Sequence, residues 1–534
     1  MVSQHARDPG AYRPWRADCS AAGPWARRCA LHPRHLGGRA LGRDRAGDPS
    51  RAGPAPGGIH RCNLSTRRRS VTRASGLDAA TGSATGRERR LRVLVVGAGP
   101  VGLVAAAGLA REGHRVVCAE QDVDRFAILE RGRAPFFEPG LDPLVADVLR
   151  SGCLSFVRRV ADAPSCEVVL VAVGTPAQAD GRVNLRYAFE AVQEITGWAR
   201  EPLILAMKST VPPGTGVRIE RQFLRGRTPR ILYVANPEFL REGRAVDDWF
   251  RPTRTVLGAW EPEGFAAMRA LYERIDAPVF EMDVTTAEMV KYASNAFLAT
   301  KVSFINEIAN LCELTGADVT RVAEAMGADP RIGPHHLHAG IGYGGSCFPK
   351  DTRAFDAISD ANGYAFRLLK AVIEVNAHQP RRAVQRIAGA LGGDLTGTRV
   401  AVLGVAFKPV TDDVRESPAL AIISHLLEAG AHVVVYDPRA MAPGRSVLPR
   451  AVGFADDAYE ACAGCRAVMV LTAWPEFAAL DWERIRREMV DPYVVFDGRN
   501  CLPDGLTRLG LIHMRIGRPE TMATVAAARR GREG

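Results

Sequence analysis

The sequence predicts an α/β protein in which a long central helix joins two parallel β-sheets. Short apolar runs of buried-strand type alternate with helical patterns over residues 91–282 and again after residue 391. This alternation is typical of parallel sheets covered by helices on both faces. Between the two stretches, residues 284–314 form one uninterrupted helical pattern, which Gly316 ends. A chain of 534 residues has room for two or three such domains.

The first apolar run opens a βαβ unit with a glycine motif. A strand is predicted at 92–96, a helix at 101–111 and a second strand at 115–120, which ends at Glu120. The G-x-G-x-x-G motif between the first strand and the helix consists of Gly97, Gly99 and Gly102. Such glycines let a dinucleotide pyrophosphate approach a helix start, and an acid such as Glu120 binds the ribose hydroxyls and repels a 2′-phosphate. The unit therefore predicts a Rossmann-like domain that binds NAD, with a Gly-rich turn of another α/β fold as the alternative.

Further apolar runs extend both sheets. In the first part they lie at 168–173, 203–207 and 231–235; in the last part they lie at 399–404, 433–437, 468–471 and 494–497. A capping box from Thr285 to Glu288 is predicted to open the long helix. We expect five segments: an Arg-rich extension (1–90), an NAD-binding Rossmann-like domain (91–282), a helical middle domain (283–390), a second Rossmann-like domain (391–520) and a flexible tail (521–534).

The net charge of +11 is unevenly distributed along the chain. Residues 1–90 hold 18 arginines, no lysine and 6 acidic residues, a charge of +12 that leaves −1 for the rest. Their composition predicts disorder, as a tail or an early start codon, with a transit peptide or a basic arm as the alternatives. The folded part is neutral, so we expect no nucleic-acid partner. Scattered cysteines and the absence of a long apolar run predict a cytoplasmic protein without disulfides or membrane spans.

Residues 342–351 carry the strongest chemical signal. This Gly-rich stretch delivers Cys347 just before Pro349, a residue suited to the first turn of a helix. A thiol at a helix start is expected to have its thiolate favoured by the helix dipole, and Asp351 would lie one turn further on the same face, able to move a proton. On the long helix, Lys291 and Asn295 share a face and could together stabilise an oxyanion.

A series of motifs in order resembles the UDP-glucose/GDP-mannose dehydrogenase family over residues 91–520. The motifs are the glycine motif, Phe137–Leu141, Gly174–Pro176, Lys208–Pro212, Asn236–Glu242, Lys291–Asn295, Gly342–Asp351, Phe407–Lys408 and Asp497–Arg499. The resemblance implies a four-electron oxidation of a nucleotide sugar at C6, with Cys347 forming a thiohemiacetal and then a thioester. The amino-acid sequence of residues 291–310 is most similar to that of family members that oxidise UDP-glucose. GDP-mannose or another UDP-sugar is the alternative substrate, and a catalytically silent nucleotide-sugar- or NAD-binding protein is the alternative that is not an enzyme.

The resemblance also implies roles for individual residues. Lys291 and Asn295 would stabilise the oxyanion, Asp351 would assist a water as base, Glu238 would serve thioester hydrolysis and Thr210 would order water. With the three motif glycines, cofactor contacts are implied for Glu120, Arg125, Thr175, Thr210, Glu242 and Arg415. Substrate contacts are implied for Glu238, Phe239, Leu240, Lys291, Asn295, Arg331, Tyr343, Gly344, Lys408 and Arg499. Arg331 would reach the sugar site of a neighbouring subunit, which implies a homodimer or a higher homo-oligomer.

Three residues depart from the family pattern. His336 stands where Phe is common, His338 where some members have a substrate-binding Lys, and Tyr343 where Phe is frequent. The first two put fine substrate contacts in doubt but leave the Cys347 chemistry unchanged. The histidines near residue 336 have no carboxylate at ligand spacing, so no metal is expected.

Overall fold

The structure is a computed structural model that describes residues 90–519. The predictions for residues 1–89 and for the tail from residue 520 onward therefore lie outside the described residues. No helix within the described part is long and apolar enough to cross a membrane.

Eight strands of the described chain form a first sheet around the glycine motif. They are β1 (Arg92–Val96), β2 (Arg115–Ala119), β3 (Leu154–Val157), β4 (Val168–Val171), β5 (Leu203–Met207), β6 (Ile231–Ala235), β7 (Thr255–Ala259) and β8 (Val279–Met282). Their order is β3-β2-β1-β4-β5-β6-β7-β8. The helices of this part are α1 (Pro100–Arg111), α2 (Val123–Glu130), α3 (Leu141–Arg150), α4 (Arg186–Trp198), α5 (Thr215–Ile219), α6 (Ala245–Phe250) and α7 (Pro262–Leu271). The doubly wound arrangement follows the sequence prediction.

One strand pair departs from the predicted parallel sheet. β6 and β7 run antiparallel, whereas the other neighbours in this sheet are parallel. An antiparallel strand starts at the sheet edge where its partner ended, so no long crossover is needed. Residues 236–254 therefore stay at the carboxyl edge of β6, the edge at which ligands bind in open α/β sheets.

The middle of the chain is helical. Its helices are α8 (Val284–Thr315), α9 (Val319–Gly327), α10 (Phe348–Ala361) and α11 (Arg367–Ala390). α8 has 32 residues and ends at Gly316, which adopts a left-handed conformation as predicted. Val284 and Ala287, near its start, pack in a core of the first sheet, whereas Ile305 and Ala309 pack in the core of the second sheet. One helix thus belongs to both cores.

The predicted start of α8 is wrong in detail. Asp283 caps the helix by accepting a hydrogen bond from the Thr286 backbone N–H, so Thr285 lies inside the first turn. Glu288 does not turn back to the helix start, because its carboxylate accepts hydrogen bonds of 2.7 Å from the backbone N–H groups of Gly214 and Gly216. A contact between distant segments has replaced the local one.

The second sheet has six parallel strands in the described chain. They are β9 (Arg399–Leu403), β10 (His432–Tyr436), β11 (Gly453–Phe454), β12 (Ala467–Val470), β13 (Val494–Asp497) and β14 (Ile512–Arg515), in the order β11-β10-β9-β12-β13-β14. Its helices are α12 (Pro418–Glu428), α13 (Met441–Val447), α14 (Ala458–Cys462), α15 (Pro475–Ala478) and α16 (Trp482–Glu488). Single helical turns span Val160–Asp162, Glu220–Leu224 and Leu506–Leu509.

Candidate active site

The Gly-rich loop before α10 presents Cys347 at the helix start. Gly345 has a φ of +85° and donates a backbone hydrogen bond to the Arg415 carbonyl. A Cβ at Gly344 would lie 2.3 Å from the Glu416 carbonyl oxygen, so a side chain at this position would displace the second domain's loop. The loop is therefore held tightly against residues 407–418, and Cys347 is the residue immediately before α10.

Two buried polar pairs surround the cysteine. Lys291 Nζ lies 2.8 Å from Glu238 Oε1, and Asn295 Nδ2 donates to Asp351 Oδ2 over 2.6 Å. Lys291 and Asn295 are one turn apart on α8, and all four side chains of the two pairs are buried. Residues that are far apart in the chain, on α8, on α10 and after β6, thus meet around one thiol.

The charges of Lys291 and Glu238 stabilise each other. Burial by itself raises the pKa of Glu238, but the charge and hydrogen bond of Lys291 outweigh it, and the net pKa is lowered. Burial likewise disfavours the Lys291 cation, but the charges of Glu238, Cys347 and Asp351 leave its pKa raised. Both groups are therefore ionised at neutral pH.

The thiol does not follow the expectation from its position at a helix start. Burial raises the pKa of Cys347, and the nearby carboxylates act in the same direction, although Lys291 opposes them. The resting residue is therefore a thiol, and a base is needed to take its proton when the sulfur reacts.

A cavity of about 560 Å³ lies beside Cys347. It brings together six of the predicted residues: Glu238, Phe239, Leu240, Lys291, Asn295 and Cys347. The sequence analysis did not identify Lys208 or Arg254 as site residues, although both line the same cavity. The Arg254 guanidinium carbon lies 3.7 Å from the centroid of the Phe239 ring. Five cationic side chains and only two carboxylates line this cavity, which suits an anionic ligand.

The predicted cofactor residues lie along the carboxyl edge of the first sheet. Gly97 has a φ of +99°, and a Cβ at Gly102 would lie 1.8 Å from the Gly97 carbonyl oxygen, whereas a Cβ at Gly99 would meet no atom within 4 Å. The motif therefore closes tightly and leaves open space at its centre, which fits a pyrophosphate. The Glu120 carboxylate accepts hydrogen bonds from the backbone N–H groups of Ala98 and Asp122.

Three other predicted cofactor residues share a second cleft. Arg125, Glu242 and Arg415 line a cavity of about 400 Å³ that also reaches Pro100, the first residue of α1. Thr175 and Thr210 follow β4 and β5 at the same sheet edge. The cleft lies between the glycine motif and the loop after β9.

Five predicted substrate residues, Gly344 and the four described next, lie outside the lining of the cavity beside Cys347. Tyr343 is buried and packs edge-on against Phe348. Arg499 is half-buried and its guanidinium donates to the carbonyls of Leu471, Gly342 and Phe407, so it holds the Gly-rich loop to the second sheet. Lys408 is half-buried, and burial lowers its pKa. Arg331 is exposed and forms an ion pair with Asp329.

No group of three or more His, Cys, Asp or Glu side chains in residues 90–519 is arranged to hold a metal ion.

Comparisons with known proteins identify the class to which this fold and site belong. Residues 91–276, 285–378 and 401–504 match, in turn, the NAD binding, central and UDP binding domains of one family of dehydrogenases. The chain belongs to the UDP-glucose/GDP-mannose dehydrogenase family. The predicted fold class, the NAD cofactor and the dehydrogenase class are thereby confirmed.

Individual relatives match about four fifths of this chain, and the match spans the whole length of each relative. UDP-glucose 6-dehydrogenase of Rhizobium meliloti (strain 1021) is 42% identical over 80% of this chain and 100% of its own length. That of Pseudomonas aeruginosa is 41% identical over 82% and 100%. A UDP-glucose dehydrogenase structure from Pyrobaculum islandicum has a TM-score of 0.76 at 39% identity, covering 82% of this chain and all of that one. A UDP-D-ManNAc dehydrogenase structure from Pyrococcus horikoshii has a TM-score of 0.73 at 27% identity, covering 81% and 100%.

Proposed function

We propose that the protein oxidises the C6 alcohol of UDP-glucose to the carboxylate, forming UDP-glucuronate with the use of two NAD. The observation that carries this proposal is the meeting of the Cys347 thiol with the Lys291–Glu238 and Asn295–Asp351 pairs beside a dinucleotide-binding edge. The similar proteins named as UDP-glucose 6-dehydrogenases, at about 40% identity, support the choice of sugar.

The chemistry assigns one covalent role and several electrostatic ones. NAD, when bound, accepts the hydride that leaves C6 in each oxidation. The Cys347 sulfur adds to the aldehyde to give a thiohemiacetal, and the second oxidation converts this adduct to a thioester that water cleaves. The buried Lys291 ammonium and the Asn295 amide stabilise the negative oxygen at C6. Because Asp351 and Glu238 are the carboxylates nearest these donors, they assist water in hydrolysis, with Thr210 ordering that water.

The cofactor and the substrate use different parts of the two cavities. The glycine motif and Glu120 would hold the adenosine half of NAD. The remaining part of the cofactor would be contacted by Arg125, Thr175, Thr210, Glu242 and Arg415. Phe239, Leu240, Tyr343, Gly344, Lys408 and Arg499 hold the nucleotide sugar, directly or by shaping the Gly-rich loop. The excess of cationic side chains around Cys347 favours a substrate that carries a diphosphate.

The surroundings of the site support an oligomer in the cytoplasm. Arg331 is exposed and does not line the cavity beside Cys347, which supports a contact to a neighbouring subunit's sugar. The eight cysteines among the described residues are free thiols, as expected in a reducing compartment. We therefore infer a cytoplasmic homodimer or higher homo-oligomer.

The test is the number of NADH formed per sugar, with UDP-glucose and GDP-mannose assayed separately. Two NADH with UDP-glucose alone is the expected result. Turnover only with GDP-mannose, or only with another UDP-sugar such as UDP-N-acetylmannosamine, would keep the chemistry and change the substrate. Binding of NAD and nucleotide sugar without any NADH would instead identify a catalytically silent binding protein. Mass measurement in solution tests the oligomer.

A further inference from the structure

Ser346 lies between two titratable groups of the site. Its hydroxyl oxygen is 3.6 Å from Cys347 Sγ and donates a 2.7 Å hydrogen bond to Glu242 Oε1. Among residues 90–519, no other side chain forms a hydrogen bond to Sγ. Ser346 is therefore the one side-chain hydrogen-bond partner of the thiol among these residues, and its hydroxyl leads directly to a carboxylate.

The carboxylates of the two polar pairs near Cys347, Glu238 and Asp351, already have donors at both oxygens. Glu238 accepts from Lys291 Nζ through one oxygen and from the Leu240 backbone N–H through the other. Asp351 accepts from Asn295 with one oxygen, and its other oxygen faces the Lys350 ammonium. In the resting site, a carboxylate with both oxygens held by strong donors accepts a proton less readily than one with a free oxygen, because protonation must break one of these contacts.

Glu242, in contrast, has one carboxylate oxygen that accepts no hydrogen bond in the described part of the chain. Its Oε2 is buried and makes no hydrogen bond within the described residues. Arg415 Nη2 lies 3.6 Å from Oε1 but is directed mainly at Asp413, from which it is 2.7 Å away. Glu242 can therefore accept a proton without breaking a short ion pair.

We propose that Ser346 and Glu242 form a relay that takes the thiol proton of Cys347 as its sulfur adds to the aldehyde. This inference rests on the proposed function, in which such an addition occurs. As the S–C6 bond forms, the S–H bond breaks and its proton passes to Ser346 Oγ, while the Ser346 hydroxyl proton passes to Glu242 Oε1. The carbonyl electron pair moves to O6, which becomes an oxyanion beside Lys291. No electron is gained or lost in this step.

The electrostatics around Glu242 suit a base that works near neutral pH. Burial and the charge of Asp413 raise the pKa of Glu242 to about 7, against the Ser346 hydrogen bond and the charges of Arg415 and Lys408. Glu238, whose net pKa is lowered by Lys291, is the weaker base. The groups that face Glu242 come from the Gly-rich loop and from the loop after β9, so both segments set its pKa.

The first test removes the hydroxyl of Ser346. With the C6 aldehyde of the nucleotide sugar as substrate and NAD saturating, we expect Ser346→Ala to slow acid formation in a single turnover by about 100-fold. Ser346→Thr keeps a hydroxyl and should stay within about tenfold of the unaltered protein. Ser165→Ala is the matched control, because Ser165 donates a 2.5 Å hydrogen bond to Glu201 and lines neither of the two site cavities, and the rate of this variant should not change.

A second test separates a relay from a simple charge effect. Glu242→Gln removes a negative charge beside the thiol, which lowers the thiol pKa, so iodoacetamide should alkylate Cys347 at least as fast as before at pH 7. The relay requires that acid formation nevertheless falls in this variant at saturating NAD. A faster alkylation together with equal or faster acid formation would overturn the relay. A loss confined to the KM for NAD would overturn it too, because it would indicate a cofactor contact only.

The pH profile gives a readout that a structural role would not change. Acid formation by the unaltered protein should fall as the pH drops through about 7, because Glu242 becomes protonated, and Ser346→Ala should lack this step. If the unaltered protein oxidises UDP-glucose and its aldehyde but Ser346→Ala matches its rate and pH profile, the relay is wrong and the proposed function stands. If the unaltered protein oxidises neither compound, the proposed function itself fails.

Discussion

Lys291 determines the charge state of the buried site. Its ammonium is the partner of Glu238, and it is also the cation that opposes the rise in the pKa of Cys347. A buried ion pair gives little net stability against a well-packed apolar pair, but loss of one partner leaves an uncompensated charge. The effect of altering Lys291 alone should therefore be large, and it should be reduced when Glu238 is changed with it.

We expect Lys291→Met to lower the free energy of unfolding at pH 7.5 by about 3–5 kcal/mol, because it leaves the Glu238 carboxylate buried without the cation that is hydrogen-bonded to it. Adding Glu238→Gln to this variant should recover at least about half of the loss. Urea unfolding of the two single variants and the double variant measures the coupling. Arg186→Met is the control, since Arg186 and Glu190 form an exposed pair on α4, and it should leave the free energy of unfolding almost unchanged. Additive losses would mean that the two residues do not interact.

The same substitution should reverse the pH dependence that Glu238 gives to stability. In the unaltered protein the pKa of Glu238 is lowered, so its contribution is present above its unfolded value near 4.5 and is lost as the pH falls through the folded pKa. Without Lys291, burial raises the folded pKa above the unfolded one, so stability should fall as the pH rises from 4.5. Melting temperatures at pH 5 and pH 7.5 measure this: the deficit of Lys291→Met should be smaller at pH 5, and an equal deficit at both would contradict the account.

Cys347→Ser should separate the two oxidations. A serine hydroxyl adds to an aldehyde and leaves from an acyl group less readily than a thiol, so acid formation should fall by on the order of 10³-fold or more, while weak oxidation of the alcohol to the aldehyde can persist. NADH and uronate are measured together, and Cys153→Ser, a half-buried thiol outside both cavities, is the control. Normal uronate output from Cys347→Ser would exclude the covalent route.

The N-terminal half of α8 is held by a contact that its own sequence did not reveal. Glu288 joins α8 to the start of α5 through two backbone N–H groups, and the Tyr233 hydroxyl donates to the same carboxylate over 3.3 Å. Burial raises the pKa of Glu288 to about 7. This contact fixes the segment that follows Thr210 against the helix that carries Lys291.

We expect Glu288→Gln to lower the free energy of unfolding by about 1–3 kcal/mol, because an amide has one acceptor oxygen where two buried N–H groups need one each. Urea unfolding monitored by circular dichroism measures the loss. Glu307→Gln, at an exposed position of the same helix, should change it by less than about 0.5 kcal/mol. Equal effects at the two positions would mean that Glu288 has no special role.

Sequence patterns predicted most inner strands, but they missed the outermost ones and the inner strand β7. β1, β4, β5, β9 and β12 are apolar runs buried on both faces, and each was predicted. The outermost strands β3, β8, β11 and β14 were not predicted, since an edge strand is covered on one side only and needs no continuous apolar run. In β8, Val279 and Phe280 are exposed, and β11 has two residues. The predicted capping box of α8 was wrong for a related reason, because the Glu288 carboxylate is hydrogen-bonded to a distant segment of the chain.

The site residues that belong to a local sequence motif could be predicted, whereas the features of the site that depend on tertiary packing could not. Residue spacing placed Lys291 and Asn295 on one helix face, and both are buried beside Cys347. The raised pKa of the thiol and the cavity positions of Lys208 and Arg254 depend on which segments cover them, which no local pattern contains. The predicted domain boundaries and the roles of the individual site residues stay predictions.

A protein that begins at Arg89 should keep its dehydrogenase activity. Every predicted site residue lies within residues 90–519, and the positive charge of the chain is concentrated before that range. We expect kcat with the nucleotide sugar to stay within about twofold of the full chain, measured as NADH formation, while salt-sensitive retention on DNA, if the full chain has any, disappears. Loss of turnover on truncation would give residues 1–88 a role in catalysis or folding.

The helix shared by the two cores limits how the protein can be divided into fragments. A fragment that stops before Val284 lacks the residues by which α8 completes the first core, and one that starts after Thr315 lacks Ile305 and Ala309 from the second. Each fragment would expose an apolar surface that the intact chain covers, and neither would keep Lys291 beside Cys347. The NAD-binding and nucleotide-sugar-binding halves are therefore not separable modules, and we expect them to unfold together in one cooperative transition.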